Sequence, residues 1–406
     1  MSTTIDLMDP TLYVPGVPHE YFAELRRTEP ISRRSDPNGP DYWAVTTYPE
    51  CVTVNRDWEH FSSYQRTALV NEMAEAELET QRMMMLNMDP PLHTRYRRLV
   101  NKGFTPRMVN ELEASIHRAA DQILDRVCEQ GTADFVTDIS AELPLVVIAD
   151  LLGVPYEDRH KMFDWSNRMI GSQDPEYQDD DDASVAAMDL YAYASELFAS
   201  KRIDPAQDLM SALTQVEVEG ERLSELELEL FFLLLTVAGN ETTRNLMSGA
   251  MHTYFEHPDQ WELLVANPEL LPDATEEMLR FVSPVMNFRR TATQDTELRG
   301  VPIAEGDKVI FFHTSANRDE TVFEDSATFD ITRRPNPHMA FGGGGPHFCL
   351  GANLARMEIR VMFQHLLDRV PDIHAAGPAE RLRSQFINGV KHLPVAFSPS
   401  APLGTA

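Results

Sequence analysis

Residues 341–351 read Phe341-Gly342-Gly343-Gly344-Gly345-Pro346-His347-Phe348-Cys349-Leu350-Gly351. Four successive glycines cost backbone entropy, so another group is expected to approach the main chain closely there. Leu350, Leu354, Met357 and Val361 recur at helical spacing, which predicts a helix opening at Cys349. A thiol at a helix start faces the positive end of the dipole and unpaired N–H groups, which favour the thiolate. A thiolate there is a nucleophile or a soft metal ligand. The plainer reading is a small buried apolar residue after a flexible loop. A phosphate cradle fits poorly, because no Gly-Lys-Ser/Thr ending follows and no β-branched strand precedes.

Working outward, Asn317 to Pro337 reads as irregular loop and Arg290 to Thr314 as short strands between turn signals. Residues Pro90 to about Gln260 carry mostly helical signals, with a start at Asp89-Pro90-Pro91. Glu142 to Leu152 is largely apolar and closes at Gly153 and Pro155. Ser224-Glu225-Leu226-Glu227 is a capping box. It opens a long helix with Leu226, Leu230, Leu233, Leu234 and Val237 on one broad face. Near the N-terminus, Tyr42–Thr47 is a strand candidate between Pro40 and Pro49. The balance is mainly α with a small β region.

Three further constellations stand out. Gly239-Asn240-Glu241-Thr242-Thr243 places a carboxylate and a hydroxyl within the long apolar helix; a buried charge needs a partner or a task, and otherwise this is the solvent face. Glu277 and Arg280 are three apart on a helix expected over Asp273 to Phe281, either a functional pair or a surface ion pair. His93 and Arg97 are four apart and can address one anionic group, or simply meet solvent as a basic face.

Composition narrows the function. A net charge of −29 argues against general affinity for nucleic acid or an anionic membrane. Cys51, Cys128 and Cys349 are far apart, which gives no disulfide framework or zinc spacing and suits a reducing compartment. Cys51 and Cys128 are expected to be buried small apolar residues. Residues 1–10 have acids and no basic region, unlike a signal peptide. The apolar run near Leu230–Leu235 falls far short of the ~20 residues that span a membrane. A cytoplasmic protein is expected. Its 406 residues would make two or three domains at ~150 residues each.

Taken together, these strings resemble the cytochrome P-450 family, the haem-thiolate monooxygenases. Phe-Gly…Gly-x-His-x-Cys-x-Gly is similar to the family's haem-binding signature, Ala238-Gly239-x-Glu241-Thr242-Thr243 to its oxygen-activation motif, and Glu277-x-x-Arg280 to its helix pair. The resemblance implies the P-450 fold over residues 1–406 as one haem-binding domain. Its parts would be a strand-containing stretch to about 60, a helical body about 61–283, and a mixed strand, loop and haem-binding part about 284–406. One departure is an extra glycine between Phe341 and Cys349, with Gly345 still four before the cysteine. Such a lengthened loop, with Gly239-Asn-Glu-Thr-Thr-Arg244 and Asn388-Gly-Val-Lys-His-Leu-Pro394, is similar to bacterial members acting on sterol side chains, branched lipids or terpenoids.

The resemblance carries roles with it. Cys349 would be the axial ligand of the iron of haem b (iron protoporphyrin IX). Phe341, Gly345 and Gly351 would shape the cofactor loop. His93 and Arg97 would hold one propionate, and Arg290 with His347 the other. Glu241 and Thr242 would relay protons, and Gly239 would leave room for O2. Leu234, Val237, Ala238, Val285, Met286, Phe288 and Ile387 would face substrate, while Glu277, Arg280 and Arg333 would form a buried structural network. Met83, Met84, Met85 and Met88 fall where the family has a mobile substrate loop, or pack in the core. Electrons would come from NAD(P)H through a ferredoxin reductase and a ferredoxin to a monomeric enzyme. Arg95, Arg97, Arg98, Lys102 and Arg107, an acid-free stretch, would steer an acidic ferredoxin, or form a solvated basic face. Asp179–Asp182 reads as a solvated loop. Alternatives are a peroxide-using peroxygenase, which would replace the Glu241–Thr242 pair, a non-catalytic haem sensor, and a haem-free enzyme with Cys349 as nucleophile and His347 as base.

Overall fold

The computed structural model describes residues 5–101, 106–177, 182–217, 220 and 222–404, the side chains of 106–111 and 182 excepted. Lys102, the side chain of Arg107 and the acidic run Asp179–Asp182 therefore lie outside the described residues or side chains. The chain gathers into two compact units. One combines residues up to Arg95 with Glu276–Leu350 and Arg383–Asn388; the other combines Tyr96–Thr275, Gly351–Leu382 and the C-terminal residues from Gly389.

The first unit is organised by a five-stranded sheet. Its order is Ile31–Arg34, Tyr42–Val45, Lys308–Phe312, Asn287–Ala292, Phe61–Ser62. The Tyr42–Val45 strand runs parallel to Lys308–Phe312, with Trp43 opposite Val309, and the other pairs are antiparallel. Arg290 stands opposite Val309. A division of the chain near 60 and 283 is thus not a division in space, because early and late strands share one sheet. The strand region also departs in detail: Asn287–Ala292 begins before Arg290, and Thr314 belongs to a short helix, His313–Ala316. Buried Val45, Val54, Phe61, Val309 and Phe311 pack beside the sheet with Cys51. Burial pushes the Cys51 thiol up, so it behaves as a small apolar residue.

The second unit is helical. Ser224 caps the 32-residue helix Glu225–Glu256, its Oγ accepting from Glu227 N at 3.3 Å while Ser224 N donates to the Glu227 carboxylate at 2.6 Å. The helix continues unbroken through Gly239-Asn-Glu-Thr-Thr. Glu142–Leu152 forms the expected apolar helix and stops at Gly153, whose φ of 68° gives a left-handed cap. A Cβ at Gly239 would lie 2.9 Å from Ile148 Cδ1. A side chain there would require the end of Ile148 to shift, so the glycine eases the approach of these two helices. The helix after the cysteine loop spans Ala352–Arg369, three residues later than expected. Leu350 precedes it, and its buried face centres on Leu354, Ile359, Met362, Phe363 and Leu366. Cys128 is buried in this unit. Among the described residues no helix is long and apolar enough to cross a membrane.

Candidate active site

The glycine loop adopts a conformation that few other residues could hold. Gly342, Gly343, Gly344 and Gly345 all have positive φ, from 63° to 99°. A Cβ at Gly344 would fall 2.7 Å from Arg56 Nη2, and one at Gly345 would fall 3.2 Å from the Arg56 Cα. The loop closes where Cys349 N donates to Phe341 O at 3.0 Å and Phe348 N donates to Gly345 O at 3.2 Å. Cys349 is exposed, in contrast to the other two cysteines. A Cβ at Gly351 would meet nothing within 4 Å.

Basic side chains of the same unit, His93, His347 and Arg290, accompany the loop, whereas Arg97 falls in the other unit. His93 is buried, and its ring lies 4.4 Å from that of His347. His347 Nε2 is 3.3 Å from Ser63 Oγ. Ser63 N donates to Asp89, which also accepts from Ser62. Arg97 lies one turn beyond His93 on the helix Leu92–Asn101. Arg290 is the most telling member. It is 3 % exposed, and it donates to Arg289 O at 2.7 Å and Asn55 Oδ1 at 3.0 Å. Its guanidinium also stands over the Phe311 ring at 5.2 Å. Burial pulls its pKa down to about 10, with the Asp89 charge opposing. Among the described residues no carboxylate pairs with it, although a buried charge is costly without a counterion.

The long helix presents two different faces around its motif. Glu241 is 1 % exposed and forms an ion pair with Arg244. Its carboxylate also accepts from Ser166 at 3.3 Å and Asn245 at 3.4 Å, and Arg244 donates to Asn167 at 2.6 Å. Burial raises the Glu241 pKa, with Arg244, Ser166 and Asn245 opposing. Thr242 is half-buried and donates to Ala238 O at 2.8 Å. No hydrogen bond joins Glu241 to Thr242 among the described side chains. Leu234, Val237 and Thr242 are half-buried and Ala238 is exposed, whereas the Glu241 face is closed. Arg244 was legible from its i, i+3 spacing to Glu241; Ser166 and Asn167 left no sequence signal.

The other expected residues distribute as follows. Glu277 and Arg280 are fully buried and paired twice, at 2.8 and 2.7 Å. Arg280 also donates to the carbonyls of Asn317, Ser326 and Thr328, and Arg333 reaches Glu277 at 3.3 Å. The pair therefore fastens the irregular segment after the sheet. Val285 and Ile387 meet as an antiparallel bridge. Val285 and Phe288 are half-buried, while Met286 and Ile387 are buried, Met286 at 0 %. Met84, Met85 and Met88 are also buried, leaving only Met83 of that group half-buried, so core packing accounts for most of it.

The cytochrome P450 family model matches residues 142–370. A steroid C26-monooxygenase of Mycobacterium tuberculosis is 43% identical over 409 aligned residues, covering 98% of this chain and 94% of that protein. The chain belongs to the cytochrome P450 family. A methyl-branched lipid omega-hydroxylase of the same organism is 42% identical, over 93% of this chain and 90% of that protein. Among solved structures, a Mycobacterium marinum cytochrome P450 in complex with pseudoionone superposes with a TM-score of 0.90 at 38% identity, covering 97% and 99% of the two chains. A Bacillus megaterium P450 in complex with testosterone gives 0.83 at 34% identity, over 94% and 99%. The mainly α architecture with small sheets is the P450 fold. As a cytochrome P450, the enzyme is a monooxygenase that uses haem, O2 and a reductant. The P450 site fits such a group on its own chemistry. Arg290 is a buried cation with no ion-pair carboxylate among the described residues, and Cys349 is an exposed thiol on a loop built for close approach.

Proposed function

We propose that Cys349, as thiolate, is the axial ligand of the iron of haem b, and that residues 1–406 act as one catalytic domain. The observation that carries this reading is the exposed Cys349 at the end of a four-glycine loop, in the same unit as an Arg290 that no described carboxylate neutralises. Arg290 and His347 would hold one propionate and His93 with Arg97 the other, by charge-assisted hydrogen bonds. Phe341, Gly345 and Gly351 shape the loop that receives the cofactor. Bound haem supplies reductive activation of O2 and insertion of one oxygen atom into a C–H bond.

Proton delivery falls to Glu241 and Thr242. The Thr242 hydroxyl donates its hydrogen bond to Ala238 O, which leaves its lone pairs free to accept from water. Glu241 is a buried carboxyl whose pKa burial raises, which favours its holding a proton that it can pass on. To serve Thr242 its carboxylate must leave Arg244 and Ser166, so the Arg244 pair would hold it in reserve. Thr242→Ala is expected to divert electrons to peroxide and lower product yield by ~10-fold or more. Measuring NAD(P)H, peroxide and product together checks this; unchanged coupling would remove Thr242 from the relay.

The substrate is proposed to be a steroid, terpenoid or branched lipid. Support comes from the named substrates of the relatives and from the apolar strip of half-buried Leu234 and Val237 with exposed Ala238; Val285, Phe288 and Ile387 are proposed as further substrate-facing residues. Met286 would back that wall from the core. Electrons would arrive from NAD(P)H through a ferredoxin reductase and a ferredoxin, steered to Arg95, Arg97 and Arg98. A monomeric cytoplasmic enzyme completes the reading. Titrating the haem spectrum with steroids, terpenoids and branched fatty acids, then assaying turnover with NADPH and ferredoxin, tests it. A spectrum unmoved by all three classes would refute the substrate assignment.

A further inference from the structure

Asn55 is the penultimate residue of the helix Tyr48–Arg56, and its side chain is 3 % exposed. Its Oδ1 accepts from Arg290 Nη2 at 3.0 Å. Its Nδ2 donates to Gly342 O and, at 3.1 Å, to Gly344 O. The adjacent Arg56 donates to the intervening Gly343 O from Nε at 2.9 Å and from Nη2. Two neighbouring side chains thus receive three successive loop carbonyls, and one of them also holds the buried guanidinium. The positive φ of every glycine from 342 to 345 is what lets this run of carbonyls turn toward the helix end. The extra glycine of the loop lies within this run.

We propose that Asn55 is a positioning residue that couples the Arg290 guanidinium to the Cys349 loop, so that anion binding and thiolate placement are set by one amide. Only an amide offers an acceptor for a cation and a two-proton donor for carbonyls from the same planar group. Aspartate lacks the donors, leucine lacks both, and serine lacks the reach. Loss of Asn55 leaves Arg290 short of a partner and two loop carbonyls unbonded. Arg290 can then rotate, and the Phe341–Cys349 turn is held on this side by the exposed Arg56 alone.

This inference rests on the reading that Arg290 binds a haem propionate and Cys349 the iron. The test uses holoprotein of the wild type, Asn55→Leu, Arg290→Gln and the double variant. Haem transfer to apomyoglobin and the Soret band of the reduced carbonyl complex are measured, with circular dichroism confirming the fold. Asn55→Leu is expected to speed haem loss by about tenfold, as removal of a buried partner of a charged group does. It should also lower the fraction of the red-shifted carbonyl band. Arg290→Gln should speed haem loss while leaving that band in place, and the double variant should lose haem little faster than Arg290→Gln.

Wild-type haem loss and a full band in folded Asn55→Leu would overturn the proposal. So would additive effects in the double variant, which would make Asn55 a local packing residue. If Arg290→Gln alone retains haem normally, the propionate reading fails, and the proposed coupling with it. Should Asn55→Leu yield no folded protein, Asn55→Ser is judged by the same criteria.

Discussion

Cys349→His is expected to give a folded protein whose reduced carbonyl complex lacks the red-shifted Soret band, with monooxygenase turnover falling to background. A thiolate pushes electron density onto haem iron and favours O–O cleavage, whereas an imidazole favours reversible O2 binding. The structure makes this substitution the clean test, because Cys349 is the exposed cysteine and Cys51 and Cys128 are buried. Neither buried thiol can replace it without dismantling a core. The main-chain closure of the loop, Cys349 N–H to Phe341 O, is one that any residue at this position can make, so it should survive. Absorption spectra of the reduced protein with and without carbon monoxide read the outcome. Persistence of the red-shifted band would show that another group ligates the iron.

Glu277→Gln is expected to damage folding more than any substitution at the substrate wall. Glu277 binds Arg280 through two hydrogen bonds, accepts from Arg333, and also accepts from Asp330 N at 2.9 Å and Asn336 at 3.0 Å. Removing its charge strands Arg280, which is 0 % exposed, a loss of about 3–5 kcal/mol for a broken buried pair. That is a large share of the ~5–15 kcal/mol by which proteins are stable. Thermal melts should fall by about 4–6 °C, with poor recovery of holoprotein. Whatever holoprotein forms should keep its substrate preference, because the network touches the segment after the sheet and no wall residue. A melt within a degree of wild type, or an altered product profile, would contradict the structural role.

The parts of the site that were legible in the sequence are those fixed by local spacing. Helix geometry alone puts Glu277 beside Arg280 and Arg244 beside Glu241, whatever packs around them. Four glycines before a cysteine announce a close approach because other residues rarely adopt those backbone angles. The capping box and the Gly153 stop are read the same way, since a helix end is satisfied by neighbours in sequence. Local spacing was less informative about where the helix after Cys349 begins. Two residues of turn, Leu350 and Gly351, intervene, and Gly351 takes the flanking position.

What only the tertiary structure decided is which partner fills each face. Asn55 meets Arg290 across 235 residues of chain, and nothing in either neighbourhood signals the other. Gly239 proves to be a packing contact with Ile148, and Met286 lies within the core instead of along an open wall. Glu241 and Thr242 are adjacent in sequence, yet a helix sets neighbours ~100° apart, and Ser166 and Asn167 claim the acid's side only. The sequence by itself showed the groups proposed for the chemistry of this P450, a cysteine after four glycines, basic side chains and an acid–alcohol pair, because those depend on residue type and short spacing. Which of these groups are held together, and by whom, depended on long-range packing, where each buried polar atom takes the partner that folding brings within reach.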